Sequence, residues 1–158
     1  MKPEIGKKAP EFKIDVRHTD GTTGHCSLSD FAGKNLVLYF YPKDDTPGCT
    51  TQAINFTAHL DAFTSCNAVI LGVSADPLTK HEKFANKHDL GIALGSDEDH
   101  EMIEAYGSWV EKNMYGRKYM GIERSTFLIG ETGEIKHIWR KVKVKTHIED
   151  VLDVLRDS

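Results

Sequence analysis

The run Leu36-Val37-Leu38-Tyr39-Phe40-Tyr41 constrains the fold more than any other segment, because it is continuously apolar or aromatic between Gly33-Lys34-Asn35 and Pro42. Unbroken rather than alternating hydrophobicity over that length is expected of a strand covered on both faces, central in a sheet with helices on either side. Pro42 ends the strand, since its ring offers no amide to a ladder. Beyond the loop at residues 42–48, Cys49, Ala53, Phe56, Leu60 and Phe63 recur with helical spacing on one face and predict one helix over residues 46–64.

The rest of the chain repeats that alternation. Upstream, Phe12, Ile14 and Val16 alternate with Lys13 and Asp15, and His18-Thr19-Asp20-Gly21 supplies a turn into a return strand at residues 22–27. Downstream, strands are expected at residues 68–73 and 92–94, with helices at 78–88 and 101–106. Residues 125–129 form a further apolar strand, turned back by Gly130-Glu131-Thr132-Gly133 into 134–140 as an antiparallel hairpin. Thr146 is placed to cap a last amphipathic helix carrying Ile148, Val151, Leu152 and Leu155. The expected fold class is therefore α/β: a mixed central sheet flanked by helices, with an N-terminal β-hairpin, in a single domain spanning residues 1–158.

Charge and cysteine usage narrow the function. The chain carries 20 Lys and Arg against 24 Asp and Glu. Its basic residues are scattered except at residues 140–145, where lysines alternate with Val142 and Val144 and read as a strand end or loop with a solvated face. Nucleic acid is not the expected partner. No apolar run approaches the ~20 residues of a membrane helix, and no signal-like start is present. Three cysteines at uneven spacing make a poor disulfide framework and suit a reducing compartment, so a soluble, cytoplasmic protein is expected. No metal is expected: His18 with His25 and His81 with His88 lack the close pairing of zinc ligands. No cofactor is expected either.

One cysteine stands in a chemically loaded place. Thr46 suits an N-cap, Pro47 the first helical position, and Gly48 allows close backbone approach, so Cys49 falls third in the helix. There the unpaired amides and the positive end of the helix dipole favour thiolate, the species that attacks. The alternative is a small buried residue filling space beneath the strand. Asp44 and Asp45, just ahead of the helix, read as complements to its dipole.

Pro42-x-x-x-Thr46-x-x-Cys49 after a buried strand is the signature carried by peroxiredoxins. Tyr39-Phe40-Tyr41-Pro42-Lys43, Ser96-Asp97-Glu98-Asp99-His100 and residues 109–129, with Tyr119-Met120-Gly121-Ile122-Glu123-Arg124-Ser125-Thr126-Phe127, extend the likeness over nearly the whole chain. These segments resemble the bacterioferritin comigratory protein, or PrxQ, branch. The resemblance implies a thioredoxin-like fold, cytoplasmic peroxidase activity on hydrogen peroxide and organic hydroperoxides, and a monomer. It also implies roles: Cys49 as the nucleophile that becomes a sulfenic acid, Thr46 with its hydroxyl near the sulfur and the incoming peroxide, and Arg124 as the cation that favours thiolate and polarises peroxide. Pro42 would be an apolar wall shielding the sulfur. From spacing alone, Arg124 reads as a surface residue at a strand end, and Pro42 as a strand terminator.

The chain departs from that family where the oxidised sulfur is resolved. Many members carry a second cysteine five residues after the first, where Ile54 stands here; others carry it in the helix that here contains Phe84-Ala85-Asn86. Cys66 lies past the far end of the Cys49 helix, roughly 20 Å or more away at ~1.5 Å per residue, whereas a disulfide needs Cα atoms within about 7 Å. Cys26 cannot be placed from sequence. The expected cycle uses one cysteine, with glutathione, glutaredoxin or thioredoxin as the external thiol. Two alternatives stay open: a two-cysteine cycle with Cys26 as resolver, and a redox sensor without turnover.

Overall fold

The computed structural model describes residues 3–157 of the chain. Nine strands and five α-helices follow in the order β1 (Lys13–Arg17), β2 (Thr23–Ser27), β3 (Asn35–Phe40), α1 (Pro47–Ala58), α2 (Leu60–Ser65), β4 (Ala68–Ser74), α3 (Leu78–His88), β5 (Ala93–Ser96), α4 (Glu101–Ala105), β6 (Trp109–Met114), β7 (Arg117–Ile122), β8 (Ser125–Ile129), β9 (Ile135–Trp139) and α5 (His147–Arg156). Seven strands form one sheet in the order β2-β1-β5-β4-β3-β8-β9. β3 runs parallel to β4 and antiparallel to β8, and the N-terminal hairpin joins the far edge through an antiparallel β1–β5 pair. The expected mixed sheet, hairpin and flanking helices are all present.

The central run does what its continuous hydrophobicity demands. Every residue of β3 is buried, and its side chains alternate between two cores. Val37, Tyr39 and Tyr41 pack on one face with Cys49, Ala53 and Phe56 of α1, Phe63 of α2, Phe84 of α3 and Ile148, Val151, Leu152 and Leu155 of α5. Leu36, Leu38 and Phe40 pack on the other with Phe12, Ile14, Cys26, Met102, Ile103 and Tyr106. At the middle of the sheet Tyr39 lies across its β4 partner Gly72, whose Cβ, if it had one, would sit 2.7 Å from the tyrosine ring. Gly72 is thus the residue that lets the Tyr39 ring lie flat on the sheet and stack on Phe56 at 4.7 Å.

Two expectations are corrected, and one element was not foreseen. The helix expected over 46–64 breaks at His59, whose amide bonds back to the Phe56 and Thr57 carbonyls and whose Nδ1 meets the Asn55 carbonyl at 2.8 Å. Thr146 occupies the N-cap of α5 in a left-handed conformation (φ 68) without a side-chain capping bond. Between α4 and β8 stands the two-stranded ribbon β6–β7, which the hydrophobic pattern did not reveal.

Candidate active site

The site is assembled where β3 gives way to α1. Thr46 is the N-cap in extended conformation; its carbonyl accepts the Thr50 amide at 2.8 Å, which starts the helix, while its hydroxyl donates to the Lys43 carbonyl at 2.8 Å. Pro47 follows at the first helical position, where a missing amide costs nothing. Cys49 is therefore in the first turn, as its spacing predicts, and is 2 % exposed.

Arg124 reaches this sulfur from the short link between β7 and β8. Its Nη2 donates to Cys49 Sγ at 3.3 Å and its Nη1 to Gln52 Oε1 at 2.6 Å. Gln52 is fully buried one turn beyond Cys49 on the same helix face, so helix α1 supplies both the sulfur and the group that orients its cation. A Cβ on Gly48 would lie 3.2 Å from Arg124 Nη2, so the bare glycine backbone is what admits the guanidinium. Helical spacing from Cys49 could have singled out Gln52; only the three-dimensional fold brings Arg124 to Cys49 across 75 residues of chain. Pro42, by contrast, is exposed at the end of the strand.

The loop between Pro42 and Gly48 is fastened to α3. Asp44 is buried and accepts hydrogen bonds from the Tyr41 hydroxyl at 2.6 Å and from His81 Nδ1 at 2.7 Å, while its amide donates to Asp76 Oδ2 at 2.7 Å. Asp45, at φ 58, bonds Lys87 at 2.8 Å and His88 at 2.9 Å. These two carboxylates clip the active-site loop to α3, where dipole complementation was expected. His81 and His88 are engaged as their partners, and no group of three metal-ligating side chains occurs among the described residues.

Burial pushes the Tyr39 phenol well above the usual tyrosine range, with the charges of Cys49 and Asp44 adding to the effect. Lys112 of β6 is held below the usual lysine range by burial first and by the charge of Arg124 second, while Cys49 and Glu123 oppose both.

Comparison with known proteins agrees with this geometry. Residues 5–138 match the AhpC/TSA family. Peroxiredoxin Bcp of Bacillus subtilis is 48% identical over 99% of this chain and 98% of its own length. The chain belongs to the AhpC/TSA family, in its Bcp/PrxQ branch. Among solved structures, a mutant of Xylella fastidiosa PrxQ superposes with a TM-score of 0.90 at 39% identity, covering 99% of this chain and 98% of that one. The bacterioferritin comigratory protein of Xanthomonas campestris, described in connection with alkyl peroxide reduction, gives 0.88 at 40% identity, covering 98% of each. This peroxiredoxin accordingly has the thioredoxin-like fold and is a thiol peroxidase.

The structure of this peroxiredoxin keeps its three thiols apart. Cys26 lies on edge strand β2, four strand spacings from β3, or roughly 19 Å at ~4.8 Å each. It also packs in the core on the opposite face of the sheet from Cys49. Burial raises the Cys26 thiol to about 12, which keeps it protonated and unreactive at neutral pH. Cys66 caps the C-terminus of α2, where its carbonyl accepts a bond from Asn35 Nδ2 at 3.1 Å. Asn35 begins β3 and Cys49 follows the other end, so the strand itself, roughly 20 Å at ~3.3 Å per residue, separates them. Ile54 is 42% exposed on α1, and Phe84 is buried against Tyr41.

Proposed function

We propose that this peroxidase works with Cys49 as its sole redox-active sulfur. The Cys49 thiolate attacks one peroxide oxygen, the O–O bond breaks, the departing alkoxide or hydroxide takes a proton, and the sulfur is left as sulfenic acid. The observation that carries this reading is the 3.3 Å bond from Arg124 Nη2 to Cys49 Sγ in the first turn of α1. A guanidinium donates more strongly to a sulfur anion than to a neutral thiol, and the same cation stabilises charge developing on the oxygens. Thr46 completes the set: its hydroxyl proton is given to Lys43, so its oxygen is left as an acceptor for the peroxide O–H. Pro42, without an amide, offers the loop no donor that would compete for the peroxide.

Regeneration is assigned to an external thiol, thioredoxin, glutaredoxin or glutathione. The separation of Cys26 and Cys66 from Cys49 supports this over a two-cysteine cycle, since either pairing would require breaking up the sheet or α1. A monomer acting in the cytoplasm as one domain completes the proposal. The single domain is supported by the seven-stranded sheet shared by both cores, and the reducing compartment by three free cysteines.

The test is peroxide consumption with glutathione, glutaredoxin and thioredoxin systems for the wild type and for Cys49→Ser, Cys26→Ser and Cys66→Ser. Activity should vanish only in Cys49→Ser. Full activity in Cys49→Ser, or single-turnover behaviour in Cys26→Ser, would overturn the proposal. Oxidation of Cys49 without turnover in all three reductants would identify a sensor.

A further inference from the structure

The basic segment at residues 140–145 is the loop with a solvated face that its composition suggests, and its other face is tied to the candidate site. The Val142 amide donates to the Arg124 carbonyl at 2.9 Å, and Val144 Cγ2 lies 4.0 Å from where a Cβ of Gly48 would stand. Val142 and Val144 are half-buried, whereas Lys141, Lys143 and Lys145 are exposed. Arg140 is spent on structure, donating to the Gly107 and Tyr106 carbonyls at 3.2 and 3.1 Å. The valines thus pin the segment to the start of α1 and to Arg124, and the lysines stand along the rim beside Cys49. None of the three makes an ion pair among the described residues.

A fourth cation approaches from the ribbon. Lys112 faces Tyr119 across β6–β7, and its Cδ passes 3.3 Å from the Cβ position of Gly121, the β7 residue two places nearer Arg124. Its chain therefore leans over glycine toward the base of the ribbon, where Arg124 begins. A chain of net charge −4 has gathered Arg124, Lys112 and three exposed lysines around one buried sulfur, with Glu123 as the carboxylate acting on Lys112.

Resting on the one-cysteine reading, we infer that this rim selects the reductant: a slender, carboxylate-bearing, low-molecular-weight thiol of the glutathione class. Lysines flanking Val144 lie within about a Debye length, ~8 Å at physiological ionic strength, of the entrance to the site. They concentrate anions there and raise their encounter rate. Two observations favour a small thiol over a protein. Cys49 is 2 % exposed, and in this closed arrangement the loop ahead of it is clipped to α3 through Asp44 and Asp45. In the first step the thiolate sulfur of the small thiol attacks the Cys49 sulfenic sulfur. The S–O bond breaks, the leaving hydroxide takes a proton to become water, and a mixed disulfide forms. A second small thiolate then attacks its own kind in that disulfide, releasing the Cys49 thiolate and a symmetrical small disulfide.

The experiment follows the decay of peroxide-generated Cys49 sulfenate on mixing with glutathione or with its uncharged-carboxyl diethyl ester. It compares the unaltered chain with the variant K141Q/K143Q/K145Q, each also in a Cys26→Ser/Cys66→Ser background. The ratio of glutathione rate to ester rate is expected to fall about tenfold in the lysine variant, and to fall likewise in the unaltered chain as salt is raised. An unchanged ratio overturns the rim proposal while leaving the one-cysteine reading intact. Reduction by thioredoxin but not by glutathione also overturns it and assigns the site to a protein thiol. Failure of the one-cysteine reading shows differently: the sulfenate disappears without added thiol in the unaltered chain and persists in the Cys26→Ser/Cys66→Ser background.

Discussion

At the scale of single residues, the candidate active site is a guanidinium held in two places at once. Arg124 is oriented by Gln52 and admitted by Gly48, so the bond to sulfur depends on three side chains, one of them absent. Arg124→Ala is expected to lower the second-order rate of Cys49 oxidation by about 10²–10³, the range for losing one preorganised donor to developing charge. Gly48→Ala should keep the fold yet lower the same rate about tenfold by displacing Nη2. Stopped-flow oxidation under excess peroxide reads both. Cys49, its place in the first turn and its helix-starting neighbours were legible from residue types, because capping preferences are local. Arg124 was legible only through family resemblance, and Gln52 was overlooked because an amide at helical spacing has no chemistry of its own until its partner is known. The Thr46 hydroxyl donates to the Lys43 carbonyl, a bond that no sequence pattern announces.

At the scale of elements, strands and helices with strong apolar periodicity were legible in place and type, α3 to the residue, but the break between α1 and α2 was not. The β6–β7 ribbon was not, for two reasons. Both strands are largely exposed, so no apolar pattern marks them. Their turn is Tyr115-Gly116 with φ 53 and 81, the two positive values of a two-residue hairpin turn that usually announces itself as Asn-Gly. The clip from the loop to α3 was also hidden, because acidic residues before a helix have a sufficient local explanation in the dipole. Its consequence is measurable. Asp44→Ala leaves the His81 ring, fully buried, and the Tyr41 hydroxyl without their carboxylate. Leaving a buried hydrogen-bonding group without its partner costs about 1–3 kcal/mol, and two are left here, so a denaturant melt should show a midpoint well below the wild type. A shift within experimental error would mean that the loop is held by other contacts.

At the scale of the whole molecule, the two cores are joined through β3, β4 and β8, and the acid limb of stability should report on the core that holds Cys49. His147 is buried there, bonded through Nε2 to the Thr126 hydroxyl at 2.8 Å and flanked edge-on by Phe56 and Trp139. Burial lowers it to about 4 from an ordinary 6.5. Its folded value is depressed, so between those limits the unfolded chain binds the proton and the folded chain does not. Stability is then fully present above pH ~6.5 and declines as pH falls toward ~4, by about 3 kcal/mol in all. Urea melts across that window should show the decline in wild type and a flatter profile in His147→Phe; equal slopes would contradict the assignment. The same global arrangement isolates Cys49 from its fellow thiols, and the persistence of its sulfenate should make the enzyme prone to sulfinic acid formation at high peroxide.

That isolation is the central claim, and intact-mass and peptide mapping after one equivalent of peroxide, without reductant, tests it most directly. The expected product gains a single oxygen, is trapped by a sulfenate-specific reagent at Cys49, and leaves Cys26 and Cys66 as free thiols. A product that loses two hydrogens and yields a peptide linking Cys49 to Cys26 or Cys66 would contradict it.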